Sequence, residues 1–174
     1  MTRLAKWSLL DHRLFYCVHR FSQVRLIYWW ARICSASGDG FIYGVAALGL
    51  WRLQLGNPLK ALALGYAIER CIYFIAKPLF RRNRPAAALP HYTPFIQPAD
   101  KFSFPSGHSS AAFLFATVWH IGELGYSAIA YLWAANIAFS RVMLGVHFIS
   151  DVVAGAIIGT LIGVGCFELL EAAQ

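Results

Sequence analysis

The chemistry available to this chain lies in a few polar residues at the ends of apolar segments. Residues 105–108 read Pro-Ser-Gly-His and stand directly before an apolar run that begins at Ser109. A Gly-His pair opening a helix offers free backbone N–H groups, the positive end of the helix dipole and a titratable proton donor. Upstream is Lys77, with Arg84-Pro85 after six intervening residues; downstream is Ser140-Arg141, with His147 after five more and Asp151 after a further three. This set suits a phosphate group under attack. Lys77, Arg84 and Arg141 supply positive charge to the equatorial oxygens, and an arginine fork can hold two of them at once. The Ser106 hydroxyl and the N–H groups near Ser106 and Gly107 add donors at a helix N-terminus. His147 and Asp151 share a helix face if the turn begins there. A carboxylate on one ring nitrogen fixes the tautomer and frees the other nitrogen to attack phosphorus, which leaves His108 to protonate the departing oxygen.

The elements that must position these groups read as membrane helices. The 174 residues are 59% hydrophobic and only 13% charged, too apolar for a soluble domain of this size. The net charge of +7 belongs to the phosphate clusters and to the flanks of apolar segments; without a basic stripe or a known module, nucleic-acid binding is not expected. From Ser8 to about Val24, apolar residues recur at helical spacing among Asp11, His12, Arg13, His19 and Arg20, the pattern of an amphipathic helix lying in the membrane interface. The segment 26–36 is apolar but short and carries flanking arginines, and it reads as interfacial or re-entrant. Ser35 to Gly40 is a turn. Spans follow at Phe41–Leu55, Leu59–Phe80, Gly107–Ile121, Tyr126–Gly145 and His147–Leu170, with a proline-rich polar loop over 81–106. The expected fold is all-α: an integral membrane bundle of five to six transmembrane helices, with residues 1–38 as an amphipathic N-terminal segment and 39–174 as the membrane-embedded domain. Short connections make neighbouring spans antiparallel, which puts Lys77, Gly107-His108, Ser140-Arg141 and His147 on one membrane face.

Lys77-x6-Arg84-Pro85, Pro105-Ser-Gly-His108 and Ser140-Arg141-x5-His147-x3-Asp151 together resemble the three signature motifs of the type 2 phosphatidic acid phosphatase family, whose superfamily also holds the vanadium haloperoxidases. The resemblance covers about residues 39–170. It implies that His147 becomes transiently phosphorylated, that His108 is the acid, that Asp151 orients His147, and that Lys77, Arg84, Ser106, Gly107 and Arg141 bind phosphate. It implies no metal and no other cofactor. One departure is Phe148-Ile149-Ser150, where relatives often carry a proline.

The expected activity is hydrolysis of a lipid phosphate monoester or diphosphate, with the bilayer and a membrane lipid as partners. Undecaprenyl diphosphate is favoured by analogy with small bacterial relatives. Phosphatidylglycerophosphate, phosphatidate and a lipid A phosphate are alternatives; a vanadate-dependent halide oxidiser and a non-catalytic lipid-binding protein are more distant ones. The resemblance places the protein in the bacterial inner membrane with its site on the extracytoplasmic face. The positive-inside rule agrees if six helices span and opposes if five do. Outside the motifs, Arg70 lies nearly on the face of Lys77 and either lines the lower pocket or forms a structural pair with Glu69. Asp39, Asp100 and Lys101 fall on the active face, within reach of a head group. Asn136 reads as an interhelical hydrogen bond, and His12, His19, His91 and His120 as surface or interface residues. The four cysteines lack ligand or redox spacing. Gly155, Gly159 and Gly163 make a small-residue stripe suited to packing inside the bundle.

Overall fold

The computed structural model describes residues 3–98 and 100–173. Its helices are α1 (Arg3–His19), α2 (Arg25–Ser37), α3 (Phe41–Arg52), α4 (Gly56–Phe80), α5 (Pro85–Ala88), α6 (Gly107–Ile121), α7 (Ser127–Met143) and α8 (Ile149–Ala172), with a 3₁₀ turn at Arg20–Gln23. Among the described residues there is no strand, only one isolated bridge between Asn83 and Phe102. The all-α expectation holds, and the expected segments coincide with the helices to within a few residues.

Two of the differing boundaries bear on the site. The amphipathic helix ends at His19 and tightens into the 3₁₀ turn. The expected turn over Ser35–Gly40 is shorter, because α2 continues to Ser37 and only Gly38–Gly40 reverse the chain. That extra turn carries Ser35 to Arg141. His19 is also corrected: it is buried, stacks on Phe15 at 5.3 Å and donates Nδ1–H to the Met143 carbonyl at 2.9 Å. Asn136 bonds the Leu132 carbonyl of its own helix at 2.7 Å rather than a neighbour.

α6 is the central helix, packed on α8, α7 and α4. The glycine stripe of α8 explains the closest of these contacts. A Cβ at Gly155 would collide with the Ser106 carbonyl oxygen, and one at Gly159 with the Ser110 carbonyl oxygen. Glycine lets the two backbones touch, which in lipid supplies the van der Waals packing that holds helices together. The expected use of the stripe inside the bundle is therefore what is found. Below the polar end, Leu50, Leu62, Leu114, Val118 and Phe167 form the main apolar cluster.

Large apolar side chains face outward, among them Phe41, Phe74, Ile75, Leu132 and Leu161. α8 is the one helix among the described residues that is long and apolar enough to cross a membrane; α2 and α3, bent by 43° at their break, meet the same test as a pair. α6 and α7, with 15 and 17 residues, rise only about 22 and 25 Å.

Candidate active site

The last turns of α4 present Tyr73 and Lys77 on one face, four residues apart. Arg81 in the left-handed region ends the helix, and Arg84 follows as the cap of α5. The long loop returns Asp100 between these cations. Lys77 Nζ donates to both Asp100 carboxylate oxygens, at 2.9 and 3.0 Å, and to the Phe102 carbonyl at 2.7 Å. Arg84 donates Nη2–H to Asp100 Oδ1 at 2.8 Å and Nε–H to the Asp100 carbonyl at 2.9 Å. The Tyr73 hydroxyl also donates to the carboxylate. Burial pushes the Asp100 carboxyl up, but the bonds from Tyr73, Lys77 and Arg84 outweigh it and hold the group well below the usual carboxylate range. Asp100 thus occupies the cradle that the two cations form, rather than waiting at its rim.

Ser106 caps α6: its hydroxyl accepts from the Ser109 N–H and hydroxyl, at 3.4 and 3.0 Å, and it is fully buried. Gly107 opens the helix beneath Tyr73, where a Cβ would lie 2.9 Å from the ring and 3.2 Å from Arg70 Nη2. Any side chain there would push the aromatic wall off the helix N-terminus.

Gly107, His108, Arg84, Arg141 and His147 line one cavity of about 480 Å³. The structure therefore gathers the three sequence clusters at one end of the bundle, with Lys77 joined through Asp100 and with Ser106 behind the wall. Arg141 donates to Ser35 Oγ at 2.6 Å, while its Nε–H is buried without a partner among the described residues.

His147 sits in the loop between α7 and α8, almost wholly buried. Its Nε2 is 3.4 Å from Arg84 Nη1, which is itself bonded to the Val146 carbonyl at 2.6 Å. Burial pushes the imidazole down to about 3 against the opposing pull of Asp151, so the ring is neutral and its nitrogen lone pair is available. Nδ1 stands 3.6 Å from Asp151 Oδ2, within ion-pair range but beyond a hydrogen bond. The reason is local. α8 begins one residue after Phe148, and Oδ2 accepts the Phe148 N–H at 2.8 Å, capping the helix. The other oxygen, Oδ1, accepts from Arg82 at 2.7 Å.

His108 is the opposite case. Its Nε2 lies 2.7 Å from Asp39 Oδ1, and that carboxylate is 63% exposed in the turn between α2 and α3. A carboxylate only accepts, so Nε2 carries the hydrogen. Asp39 and Asp100, expected on the active face, line the cavity there and bond side chains of the sequence motifs, Asp39 to His108 and Asp100 to Lys77 and Arg84. Lys101 lies over Phe102, 5.7 Å from the ring centroid, and lines no part of the cavity. Tyr73, Arg82, Ser35 and Asp11 were not singled out. The spacing of Tyr73 to Lys77 was one available signal, and Asp11 as the sole acid among residues 1–38 was another.

A model of the PAP2 superfamily matches residues 58–174. The chain belongs to the PAP2 superfamily. Over 113 residues this PAP2 chain is 34% identical to the lipid A 1-phosphatase of Porphyromonas gingivalis, an alignment that takes in 62% of this chain and 23% of that protein. It is 32% identical over 125 residues to Escherichia coli YbjG, covering 70% of this chain and 60% of the relative. The chain thus spans less than two thirds of the length of either. Its backbone also matches the crystal structure of Aquifex aeolicus LpxE with a TM-score of 0.81 at 30% identity, over 91% of this chain and 95% of that one.

Proposed function

We propose that this PAP2 protein is a membrane lipid phosphatase that works through a phosphohistidine intermediate without a metal. The observation that carries the reading is the buried His147 facing a cavity that also holds His108, Arg84 and Arg141. The substrate phosphate takes the place of Asp100 at Lys77 and Arg84 and meets the Arg141 guanidinium at the cavity wall. Nε2 of His147 attacks the terminal phosphorus as its bond to the leaving oxygen breaks, the lipid oxygen in a monoester and the inner phosphate's bridging oxygen in a diphosphate, and that oxygen takes the proton carried by His108. Water then attacks the phosphohistidine, with His108 accepting its proton, and inorganic phosphate leaves. Charge on the three equatorial oxygens is met throughout by the fixed cations and the N-terminus of α6.

Among lipid phosphates, Arg70 favours a diphosphate. Its Nε donates to Glu69 at 2.5 Å, its side chain is half exposed, and it lines the same cavity beside Gly107. A monoester has three free oxygens, already matched by Lys77, Arg84, Arg141 and the helix N-terminus; a fourth cation suits a second phosphoryl group. E. coli YbjG, described as an undecaprenyl-diphosphatase, points the same way, whereas the P. gingivalis relative is named for lipid A. A polyprenyl diphosphate is the favoured substrate and a lipid A phosphate the second.

The same reading takes α2 with α3, α4, α6, α7 and α8 as five to six crossings. Residues 39–174 form the embedded domain, and the 1–38 segment lies in the interface against it. The site faces outward from the cytoplasmic membrane. Phosphate release by detergent-purified protein from a panel of lipid phosphates and diphosphates, with EDTA present, tests the activity. Release by native protein and none by His147→Ala supports it; equal release by both contradicts it. A single cysteine placed in loop 86–98 should react with a membrane-impermeant thiol reagent in intact spheroplasts. Labelling only after lysis would reverse the orientation.

A further inference from the structure

The Asp151 carboxylate is fully buried, and the partner on its Oδ1, Arg82, stands at an unspecified position of the first motif. Arg82 donates Nη1–H to Asp151 Oδ1 at 2.7 Å and Nη2–H to Asp11 of α1, and its guanidinium lies over the Phe148 ring at 4.7 Å from the centroid. Asp11 is itself buried, and its Oδ1 accepts the Ser150 N–H at 3.1 Å while Oδ2 accepts from the Ser150 hydroxyl. Two carboxylates therefore share one guanidinium, and both are tied to the first turn of α8. Asp11 lies outside the residues that the family model matches.

We infer that Arg82 and Asp11 are positioning residues for the nucleophile: Asp11 fixes the Arg82 fork, Arg82 fixes the Asp151 carboxylate, and Asp151 sets the His147 ring. Several features make this more than a surface ion pair. A planar fork bonded to two carboxylates has no rotational freedom left. Asp151 Oδ2 accepts the Phe148 N–H and faces the His147 ring at 3.6 Å, so Oδ1 is where an external group can hold the carboxylate plane. Losing that hold leaves a buried carboxylate to reorient around a single backbone bond, and the 3.6 Å separation from Nδ1 gives little margin. The N-terminal helix is then a working part of the site and not a tether beside it. α1 is bolted there by Phe15, which packs on Phe148 at 5.5 Å between centroids.

The inference rests on the proposed role of His147, so the test separates the two. Using the full-length purified protein and farnesyl diphosphate as probe, kcat and KM are measured for Arg82→Gln, Arg82→Lys, Asp11→Asn and Asp151→Asn, and for Arg82→Gln combined with Asp151→Asn. Rates are expressed per mole of folded, monodisperse protein. Arg82→Gln should lower kcat by about 10- to 100-fold with KM within about twofold, since a misplaced catalytic group costs turnover rather than binding. Arg82→Lys should recover part of the loss, Asp11→Asn should lose less than Arg82→Gln, and Arg82→Gln should add less than about threefold in the Asp151→Asn background. A full-rate Arg82→Gln enzyme would overturn the inference. So would a loss that multiplies unchanged onto Asp151→Asn, the result of a purely structural role. Full activity in His147→Ala would instead sink the mechanism on which the inference stands.

Discussion

The two histidines of the site are held in opposite ways. His147 lies almost fully buried in a loop, with Arg84 on one nitrogen and Asp151 beyond the other, and Asp151 is in turn held by Arg82 and by the first turn of α8. His108 opens α6 at the cavity wall, with one contact to an exposed carboxylate in a turn. The difference suits the roles proposed for the two rings. A nucleophile must aim at phosphorus and hold its lone pair free, which rewards burial and a rigid frame. A group that delivers a proton and later takes one back must exchange partners, which rewards a single replaceable contact near solvent.

Breaking the held side should have the largest effect. His147→Ala is expected to remove about 10³-fold or more of kcat on every phosphate substrate, as loss of a covalent nucleophile does. His108→Ala should be substrate-dependent: a loss of about 10²- to 10⁴-fold on a lipid monoester, whose leaving oxygen needs a proton, and a much smaller one on p-nitrophenyl phosphate, whose leaving group does not. Equal losses on both would erase the distinction between the two rings. Arg70→Gln sharpens the comparison at the cavity wall, with kcat/KM expected to drop about tenfold on farnesyl diphosphate and much less on farnesyl monophosphate. Asp39→Asn should cost less still, about threefold to tenfold in kcat, because its contact is single and exposed.

Stability should show the smallest signal. The folded-state imidazole of His147 is depressed to about 3, against about 6.5 when unfolded. The unfolded chain therefore binds the extra proton, and stability is complete above about pH 6.5 and declines as pH falls below it. The melting temperature in detergent should fall between pH 7 and 5 and do so less steeply in His147→Gln. Asp100, held below the ordinary carboxylate range, stays ionised over that interval and contributes no slope there.

How much of this was legible depended on whether chemistry or geometry fixed the residue. That Lys77, Arg84, His108, Arg141, His147 and Asp151 gather at one end of the bundle could be read from the sequence, because their spacing along antiparallel helices puts them on one face. The α6–α8 contact was legible too, since glycine every fourth residue has few other uses in an apolar helix. The partners of these residues were not. Asp11 and Arg82 are 71 positions apart, and Asp39 and His108 are 69 apart; no periodicity connects loops that meet only when the bundle closes. Asp100 was visible as an acid near the site, but its place between Lys77 and Arg84 depends on the path of a proline-rich loop that carries no pattern. His19 was misread because a histidine on an amphipathic helix looks exposed until the helix that covers it is known.

The most direct test of the account is to trap the intermediate. Purified protein is mixed with a substrate labelled with ³²P in the terminal phosphoryl group, quenched in alkaline denaturant within milliseconds, and the protein-bound label is mapped by proteolysis. A phosphohistidine mechanism predicts an acid-labile, alkali-stable label on the peptide containing His147, absent in His147→Ala. Turnover with no protein-bound label at any time, or label that survives in His147→Ala, would contradict it.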